Sequence, residues 1–149
     1  MDNKSRGYAA IGLDNPKCHM NVGGVLRAAG CYGAALVVMS GQRFKRWPTD
    51  TRKQWRHMPL IECDNLERQI PYSCVPVAVD LMPGATPLYK FTHPERAFYI
   101  FGAEDATLGD RILSWCKHTV YIPTDGCMNL AATVNVVLYD RAMKSAKLI

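Results

Sequence analysis

Six short apolar segments, separated by glycine, proline and polar residues, constrain the fold of this chain more than any other feature of its sequence. Each has the length of a β-strand and lacks a clean polar–apolar alternation, which is typical of parallel strands buried on both faces. The predicted strands cover residues 8–13, 34–39, 59–63, 75–81, 97–102 and 119–123. The pattern therefore predicts an α/β fold with a mostly parallel six-stranded sheet and helices on both faces.

Three helices are predicted between and after these strands. Apolar residues recur at helical spacing over 21–29, and Gly30 and Gly33 close that segment in the manner of C-terminal glycines. A second helix is predicted over 108–116 and a long third helix over 128–147. The first helix lies between the first two strands, so the chain opens with a β-α-β unit.

Composition and charge exclude several classes of protein. With 149 residues, 48% of them hydrophobic and 21% charged, the chain is typical of one globular domain and not of a disordered protein. No apolar run reaches the ~18 residues that span a bilayer, and residues 1–6 lack the apolar stretch of a signal peptide. The six cysteines stand singly, without the spacing of a zinc site. We therefore expect a cytoplasmic protein with free thiols, no bound metal and no membrane contact.

The stretch from 41 to 58 combines positive charge with aromatic rings. Basic side chains can neutralise phosphates while exposed rings stack on unpaired bases, which favours binding of single-stranded RNA. A solvated loop whose tryptophans pack on the domain or on a partner subunit explains the same residues equally well. The net charge of +5 permits an anionic partner without requiring one. The basic residues of this stretch are Arg43, Lys45, Arg46, Arg52, Lys53 and Arg56, and its large aromatic residues are Phe44, Trp47 and Trp55.

The first segment that could carry chemistry has the pattern N-x-G-x-x-x-R and runs from Asn21 to Arg27. Gly23 and Gly24 each cost a helix about 1 kcal/mol relative to alanine, so a close approach of backbone or ligand would explain them. Arg27 stands within an otherwise apolar helical run. It could act on an anionic group, or it could simply extend to the surface or pair with a carboxylate.

Two further segments follow predicted strands. Residues 101–105 (F-G-A-E-D) place a glycine and a carboxylate beyond the carboxyl end of a strand, where α/β sheets bind ligands, although a plain turn has the same composition. Residues 122–130 (I-P-T-D-G-C-M-N-L) form a strand, a turn and a helix start, whose backbone N–H groups could bind a polar ligand. An ordinary helix cap made by Asp125 or Asn129 would also explain that turn.

Taken together and in this order, the three segments resemble the signature motifs of the SpoU/TrmH branch of the SPOUT RNA methyltransferases. The match is most specific at N-x-G-x-x-x-R near the N-terminus and at Ile-Pro…Met-Asn-Leu…Val-Val-Leu-Tyr-Asp near the C-terminus. The resemblance implies one domain over 1–149 without an appended RNA-binding module, a C-terminal trefoil knot and a homodimer. The third motif most resembles the small enzymes that methylate the wobble ribose of tRNA.

The resemblance also implies a chemistry, namely methyl transfer from S-adenosyl-L-methionine (SAM) to a ribose 2′-OH of RNA. It assigns Arg27 to catalysis, and a fixed guanidinium can orient the hydroxyl and stabilise developing negative charge, although it is a doubtful base. Asn21 and Glu104 would position Arg27 or the ribose, and Asn129 would brace the site. Tyr139 would support RNA binding or dimer contacts, or would be a packed helix residue. The residues implied to contact SAM are Val79, Gly102, Ile122, Cys127, Met128 and Leu130.

The chain departs from the family pattern at two motifs. The second motif lacks the usual glycine-rich continuation after Glu104, and Cys127 and Ala131 stand where the third motif has serines. Backbone contacts to SAM would survive these changes, whereas side-chain hydroxyl roles would not. Three alternatives therefore stay open: an rRNA 2′-O-methyltransferase, a catalytically silent RNA-binding relative and, with less support because no nucleotide-binding glycine motif is present, an α/β nucleotide-binding regulator.

Overall fold

The computed structural model describes residues 7–41 and 58–145. Within these ranges the chain forms strands, α-helices and two short 3₁₀ turns, at Glu67–Gln69 and Leu88–Lys90. None of the helices there is long and apolar enough to cross a membrane. In chain order the main elements are β1 (Tyr8–Leu13), α1 (His19–Cys31), β2 (Leu36–Ser40), β3 (Leu60–Cys63), β4 (Val75–Val79), β5 (Thr86–Pro87), β6 (Arg96–Phe101), α2 (Asp110–Leu113), β7 (His118–Tyr121) and α3 (Leu130–Ser145).

The strands form one sheet in the order β3-β2-β1-β6-β4-β7-β5, and every neighbouring pair is parallel. The parallel sheet is therefore confirmed, and the predicted strands are present as β1 to β4, β6 and β7. The predicted number of six was wrong, because β5 adds a seventh strand at the edge, against β7. This strand has only two residues, one of them a proline, so it carries no apolar pattern that a sequence reading could detect.

Helices cover both faces of the sheet, as predicted. On one face α1 and α3 bury apolar side chains such as Leu26 and Val137 against alternate residues of the central strands, among them Ile11 and Tyr99. The other face packs Ile112 of α2 together with neighbouring apolar loop residues. Consecutive strand residues point to opposite faces, so the central strands are buried on both sides. This double burial explains why their sequences lack alternation.

Local backbone conformation and hydrogen bonds determine where the helices begin and end. The first helix runs two residues past its predicted end, so Gly30 lies inside it, whereas Gly33 follows its C-terminus as predicted, in the left-handed region at a φ of 69°. The prediction of a helix over 108–116 was too long, because after Leu113 the chain continues in tighter turns of i to i+3 hydrogen bonds. The third helix begins later than predicted, because Asn129 caps it: its Oδ1 accepts a hydrogen bond of 2.7 Å from the N–H of Ala132.

A partly buried polar cluster joins the C-terminal half of α3 to β6 and the segment before it. It consists of His93, Tyr99, Asp140, Arg141 and Lys144, and is called the basal cluster below. Arg141 donates to the Tyr99 hydroxyl at 3.0 Å, and that hydroxyl lies 2.7 Å from Nδ1 of His93. Nε2 of His93 lies 2.7 Å from Oδ2 of Asp140, which also pairs with Lys144 at 2.7 Å. Because a carboxylate can only accept, these partners assign the neutral His93 its proton on Nε2.

Candidate active site

A cavity of about 980 Å³ opens at the carboxyl ends of β4, β6 and β7. Because parallel strands end at the same edge of a sheet, the segments that follow these strands meet there. The volume lies within the range of small-molecule sites. The residues lining the cavity are Val79 to Leu81, Phe101 to Thr107, Tyr121 to Met128, Leu130 and Thr133.

The structure brings together all the residues for which the sequence predicted cofactor contact. These come from the ends of three strands and from the start of α3, and each of them lines the cavity; that they bind a cofactor stays a prediction. The residues are Val79, Gly102, Ile122, Cys127, Met128 and Leu130.

Gly102 is required by the path of the loop after β6. The loop folds back on itself, with a hydrogen bond of 3.3 Å from the N–H of Ala106 to the carbonyl of Ala103. A Cβ at position 102 would lie 3.0 Å from the carbonyl oxygen of Ala106 and 3.5 Å from the nitrogen of Leu108. Any side chain would therefore press on the backbone of the loop. The close approach that the sequence predicted for Gly23 and Gly24 is found at Gly24, where a Cβ would lie 2.7 Å from the Cβ of Ala131, and not at Gly23.

Glu104 connects this loop to the start of α1. Its carboxylate accepts hydrogen bonds from the backbone N–H groups of Lys17 at 2.9 Å and Cys18 at 3.4 Å, and from the side-chain amide of Asn21 at 2.9 Å. Burial raises the pKa of Glu104, but these hydrogen bonds outweigh the burial and hold the pKa below its ordinary value. The structure therefore brings Asn21 and Glu104 together, with Glu104 ionised.

The sequence reading missed Asp80, which directly follows β4 and lines the cavity. Its Oδ2 accepts a hydrogen bond of 3.0 Å from the N–H of Leu108. Burial raises the pKa of Asp80, and hydrogen bonds from the backbone of Leu108 and Leu81 oppose this effect. A signal was present in the sequence, because a carboxylate directly beyond a buried parallel strand stands at the edge where α/β sheets bind ligands.

The cavity is acidic although the chain as a whole carries a net charge of +5. Its lining includes the carboxyl groups of Asp80, Glu104, Asp105 and Asp125, and among the described residues that line it there is no lysine, arginine or histidine. Lys17 approaches Asp105 to 4.0 Å from outside the lining. Such a lining favours a ligand that carries positive charge. Across residues 7–41 and 58–145, no group of three or more potential ligand side chains is placed to hold a metal ion.

Arg27 and Asn129 do not line the cavity. Arg27 lies on α1 with an exposed side chain, and within the described part of the chain no hydrogen bond or ion pair holds its guanidinium. Asn129 stands between two lining residues, but its side-chain oxygen caps α3. Within one chain these two side chains are therefore not part of the cavity wall. That they act at this site stays a prediction.

Tyr139, which was also predicted to bind RNA, does not line the cavity either. Tyr139 on α3 is 54% exposed, and its ring meets that of Tyr32 edge to face, with the centroids 6.4 Å apart. The six basic residues predicted for the same role lie outside the described residues. They are Arg43, Lys45, Arg46, Arg52, Lys53 and Arg56.

Comparisons with known proteins agree on one family. A family model described as the SpoU rRNA methylase family matches residues 8–139. A curated relative, the 23S rRNA (guanosine-2′-O-)-methyltransferase RlmB of Acinetobacter baylyi, is 26% identical over 87% of this chain and 57% of its own length. The SpoU methyltransferase AviRb of Streptomyces viridochromogenes superposes with a TM-score of 0.79 and 19% identity, over 93% of this chain and 60% of AviRb.

Another solved structure, concerned with the 2-OH methylation of C/U34 on tRNA, superposes with a TM-score of 0.79 and 22% identity, over 93% of this chain and 97% of that one. AviRb has also been solved in complex with AdoMet. At these identities the structural likenesses establish a common fold. The chain spans about three fifths of the length of RlmB and AviRb.

Proposed function

The chain belongs to the SpoU rRNA methylase family, and from that premise we propose that it transfers a methyl group from SAM to a ribose 2′-OH of RNA. The observation that carries the proposal is the cavity at the carboxyl ends of β4, β6 and β7. Two of the three sequence motifs line it directly, and the third is tied to it through the hydrogen bond from Asn21 to Glu104. Three segments far apart in sequence thus converge on one site.

The volume of the cavity and the charge of its lining support SAM as the ligand. Its carboxylates favour a cation, and the sulfonium of SAM is one. The absence of a side chain at Gly102 lets the loop fold back over itself and form part of the cavity wall. When bound, SAM supplies an electrophilic methyl group on its positive sulfur. The residues that would hold it are Val79, Gly102, Ile122, Cys127, Met128 and Leu130.

Arg27 is proposed as the residue that binds the incoming ribose. Its guanidinium stays protonated near neutral pH, so it would orient the 2′-OH and the neighbouring phosphate and stabilise negative charge on the attacking oxygen. Its side chain is exposed and does not line the cavity of its own chain, and the aromatic side chains of Tyr32, just after α1, and Tyr139, on α3, are exposed as well. We propose that the protein is a homodimer in which Arg27 completes the cavity of the partner subunit.

The proposed RNA is tRNA, with the wobble ribose as the acceptor. The third motif, which most resembles that of the small enzymes that methylate the wobble ribose, supports this choice, as does the superposition on the structure concerned with methylation of C/U34 on tRNA. An rRNA acceptor is the alternative. We also propose that the C-terminal segment forms a trefoil knot, which the sheet order supports, because β7 lies between β4 and β5 although it follows both in the chain.

The first experiment measures transfer of tritium from labelled SAM to total tRNA and to rRNA, followed by mapping of the methylated nucleotide. Replacing Arg27 by alanine should raise the activation free energy of transfer by about 2–3 kcal/mol, which slows the rate roughly 30- to 150-fold. The reason is that negative charge on the attacking oxygen loses its positive partner. The affinity for SAM, measured by calorimetry, should stay unchanged. Arg68→Ala, which removes another exposed arginine, is the matched control and should leave the rate unchanged.

Mixing two inactive variants tests whether Arg27 acts across the dimer. Gly102→Val should lose SAM binding, since its side chain would meet the backbone of the loop. Reassorted mixtures of Arg27→Ala and Gly102→Val should recover about a quarter of the activity, because half of the dimers are mixed and each restores one site of two. Activity that stays absent in the mixture would place Arg27 in its own subunit's site.

A catalytically silent RNA-binding protein is the second candidate, and the position of Arg27 outside the cavity lining favours it. This candidate predicts RNA binding that weakens with salt, together with no measurable affinity for SAM. That pair of results would contradict the proposed methyltransferase. Micromolar affinity for SAM would exclude the silent alternative.

A further inference from the structure

We propose that Asp80 is a positioning residue for the cofactor, which sets the affinity of the cavity by fastening the loop of residues 102–108 to the end of β4. The inference rests on the proposed function, because it assigns the cavity to SAM. The role differs from that of a ligand: the carboxylate would act through the backbone of the loop and not through contact with SAM.

The sheet places the two ends of this contact side by side. Strands β4 and β6 are parallel neighbours, and Val79 pairs with Phe101 at their carboxyl ends. Asp80 and Gly102 are therefore the first residues of two adjacent loops. From there the carboxylate of Asp80 reaches the N–H of Leu108 at 3.0 Å, at the far end of the loop that begins at Gly102.

Besides this contact, the loop is held through the side chains of Glu104 and Leu108. Residues 104–107 are exposed, and the hydrogen bond described inside the loop is the 3.3 Å bond from Ala106 to Ala103. Glu104 ties the middle of the loop to α1, and Leu108, only 3% exposed, anchors its end in the apolar core. Asp80 holds the backbone N–H of Leu108, the residue at which the chain passes from the cavity wall into the apolar core.

The position of the carboxylate has a cost that the hydrogen bond offsets. Burial of Asp80 disfavours its charged form, which is why its pKa is raised. A charged acceptor makes a stronger hydrogen bond to a backbone N–H than a neutral acceptor does. The loop wall supplies most of one side of the cavity, so a loop that opens at Leu108 would lose the shape that a bound nucleoside needs.

The experiment compares two substitutions that separate the hydrogen bond from the charge. Asp80→Asn keeps an oxygen that can accept from Leu108, whereas Asp80→Ala removes it. Calorimetric dissociation constants are measured for SAM and for S-adenosyl-L-homocysteine, which lacks the sulfonium charge. We expect Asp80→Ala to weaken both about tenfold and Asp80→Asn to weaken both by less than about threefold. Asp64→Asn, which removes an exposed carboxylate outside the cavity, is the control and should leave both dissociation constants unchanged.

Three results would overturn the proposal. Unchanged affinity in Asp80→Ala would show that the contact does not shape the cavity. A second such result is an equal loss of affinity in Asp80→Asn and Asp80→Ala that is confined to SAM and absent for S-adenosyl-L-homocysteine. It would show a direct charge contact between Asp80 and the sulfonium. Losses in Asp80→Asn as large as in Asp80→Ala for both ligands would show that the charge, and not the hydrogen bond, is required.

A second measurement needs no ligand and therefore separates failure of this inference from failure of the proposed function. Hydrogen exchange of the Leu108 amide, followed by NMR in the free protein, should become about tenfold faster in Asp80→Ala and stay close to wild type in Asp80→Asn. The Ile112 amide, which bonds to the carbonyl of Gly109 at 2.9 Å, is the internal reference for intact folding. An unchanged Leu108 rate in Asp80→Ala would overturn the fastening role even if SAM never bound.

Discussion

The two ends of helix α3 lie in opposite surroundings. Near its C-terminus, Asp140, Arg141 and Lys144 belong to the basal cluster, where the protein satisfies its own polar groups. Near its N-terminus, Leu130 lines a cavity whose loops are exposed and whose carboxylates face an open space of about 980 Å³. Throughout the described residues no buried side-chain nitrogen or oxygen lacks a hydrogen-bond partner.

The two ends of α3 therefore have different roles: the C-terminal end stabilises the fold, and the N-terminal end contributes to the cavity. Ten residues of helix separate Leu130 from Asp140, which is about 15 Å at 1.5 Å per residue. The helix is thus fixed by hydrogen bonds at a distance from the cavity, and the cavity loops are free to bond to a ligand. Changes at the base should therefore lower stability with little effect on binding, and changes at the cavity should do the reverse.

The largest effect is expected from Arg141→Ala at the base. Arg141 donates to the Tyr99 hydroxyl and to the carbonyls of Pro94 and Glu95, at 3.0, 2.7 and 2.7 Å. Its loss removes three hydrogen bonds from one charged donor, so the free energy of unfolding should fall by about 3–5 kcal/mol in urea titrations. The dissociation constant for SAM of the protein that stays folded should change less than about twofold.

A surface arginine provides the control for this change. Arg111 is 71% exposed and lies 3.6 Å from a carboxylate oxygen of Asp14, so Arg111→Ala should cost less than about 1 kcal/mol. The division of tasks between the two ends of α3 would be wrong if Arg141→Ala weakened SAM binding as strongly as Asp80→Ala. It would also be wrong if both arginine variants were equally stable.

A smaller effect is expected where α1 crosses α3 beside the cavity. A Cβ at Gly24 would lie 2.7 Å from the Cβ of Ala131, whereas one at Gly23 would meet nothing within 4 Å. Gly24→Ala should therefore lower the free energy of unfolding by about 1 kcal/mol, since overpacking exceeds the gain in helix propensity, and Gly23→Ala should raise it by about 0.5–1 kcal/mol. Thermal unfolding of the two variants measures the difference.

A double-mutant cycle assigns the effect at Gly24 to the crossing itself. Combining Gly24→Ala with Ala131→Gly removes the clash, so the two changes should show a favourable coupling of about 1 kcal/mol. The crossing also explains why alanine stands at 131, because a larger side chain would not fit against α1. Additive effects in the cycle would show that the helices can separate slightly at no cost.

Much of the site could be predicted, because it depends on rules that are local in sequence. The strands are visible as apolar runs, and parallel strands place their following loops at one edge, so Gly102, Ile122 and Leu130 were expected to meet. Asp80 obeyed the same rule and was overlooked. The position of Arg27 outside the cavity lining could not be predicted in this way, because it depends on how α1 packs against α3, where Gly24 meets Ala131.

The basal cluster lay beyond sequence reading for a related reason. His93 and Asp140 are separated by 47 positions and meet only because α3 returns along the sheet to the segment before β6. A histidine near a proline and an aspartate in a helix each have common local explanations. Only the tertiary structure shows that they form one hydrogen-bonded chain with Tyr99, whose burial raises the pKa of its hydroxyl to about 12.

The smallest expected effect is a dependence of stability on pH that comes from His93. Burial lowers the pKa of His93, with Lys144 and Arg141 acting in the same direction and the hydrogen bond to Asp140 opposing them. A protonated Nδ1 would also compete with Arg141 for the Tyr99 hydroxyl, which would then lack an acceptor for its own hydrogen. Below the ordinary histidine pKa of about 6.5 the unfolded chain therefore binds the proton first.

The free energy of unfolding should accordingly be highest above pH 6.5 as far as His93 is concerned, and should fall as the pH decreases from there through the folded-state pKa. Urea titrations between pH 5 and pH 8 measure this slope, and His93→Gln, which does not titrate, should remove the share of it that His93 contributes. A slope of equal size in the variant would assign the pH dependence to other groups. A slope of opposite sign would mean that the basal cluster holds His93 in its charged form, with Asp140 outweighing burial.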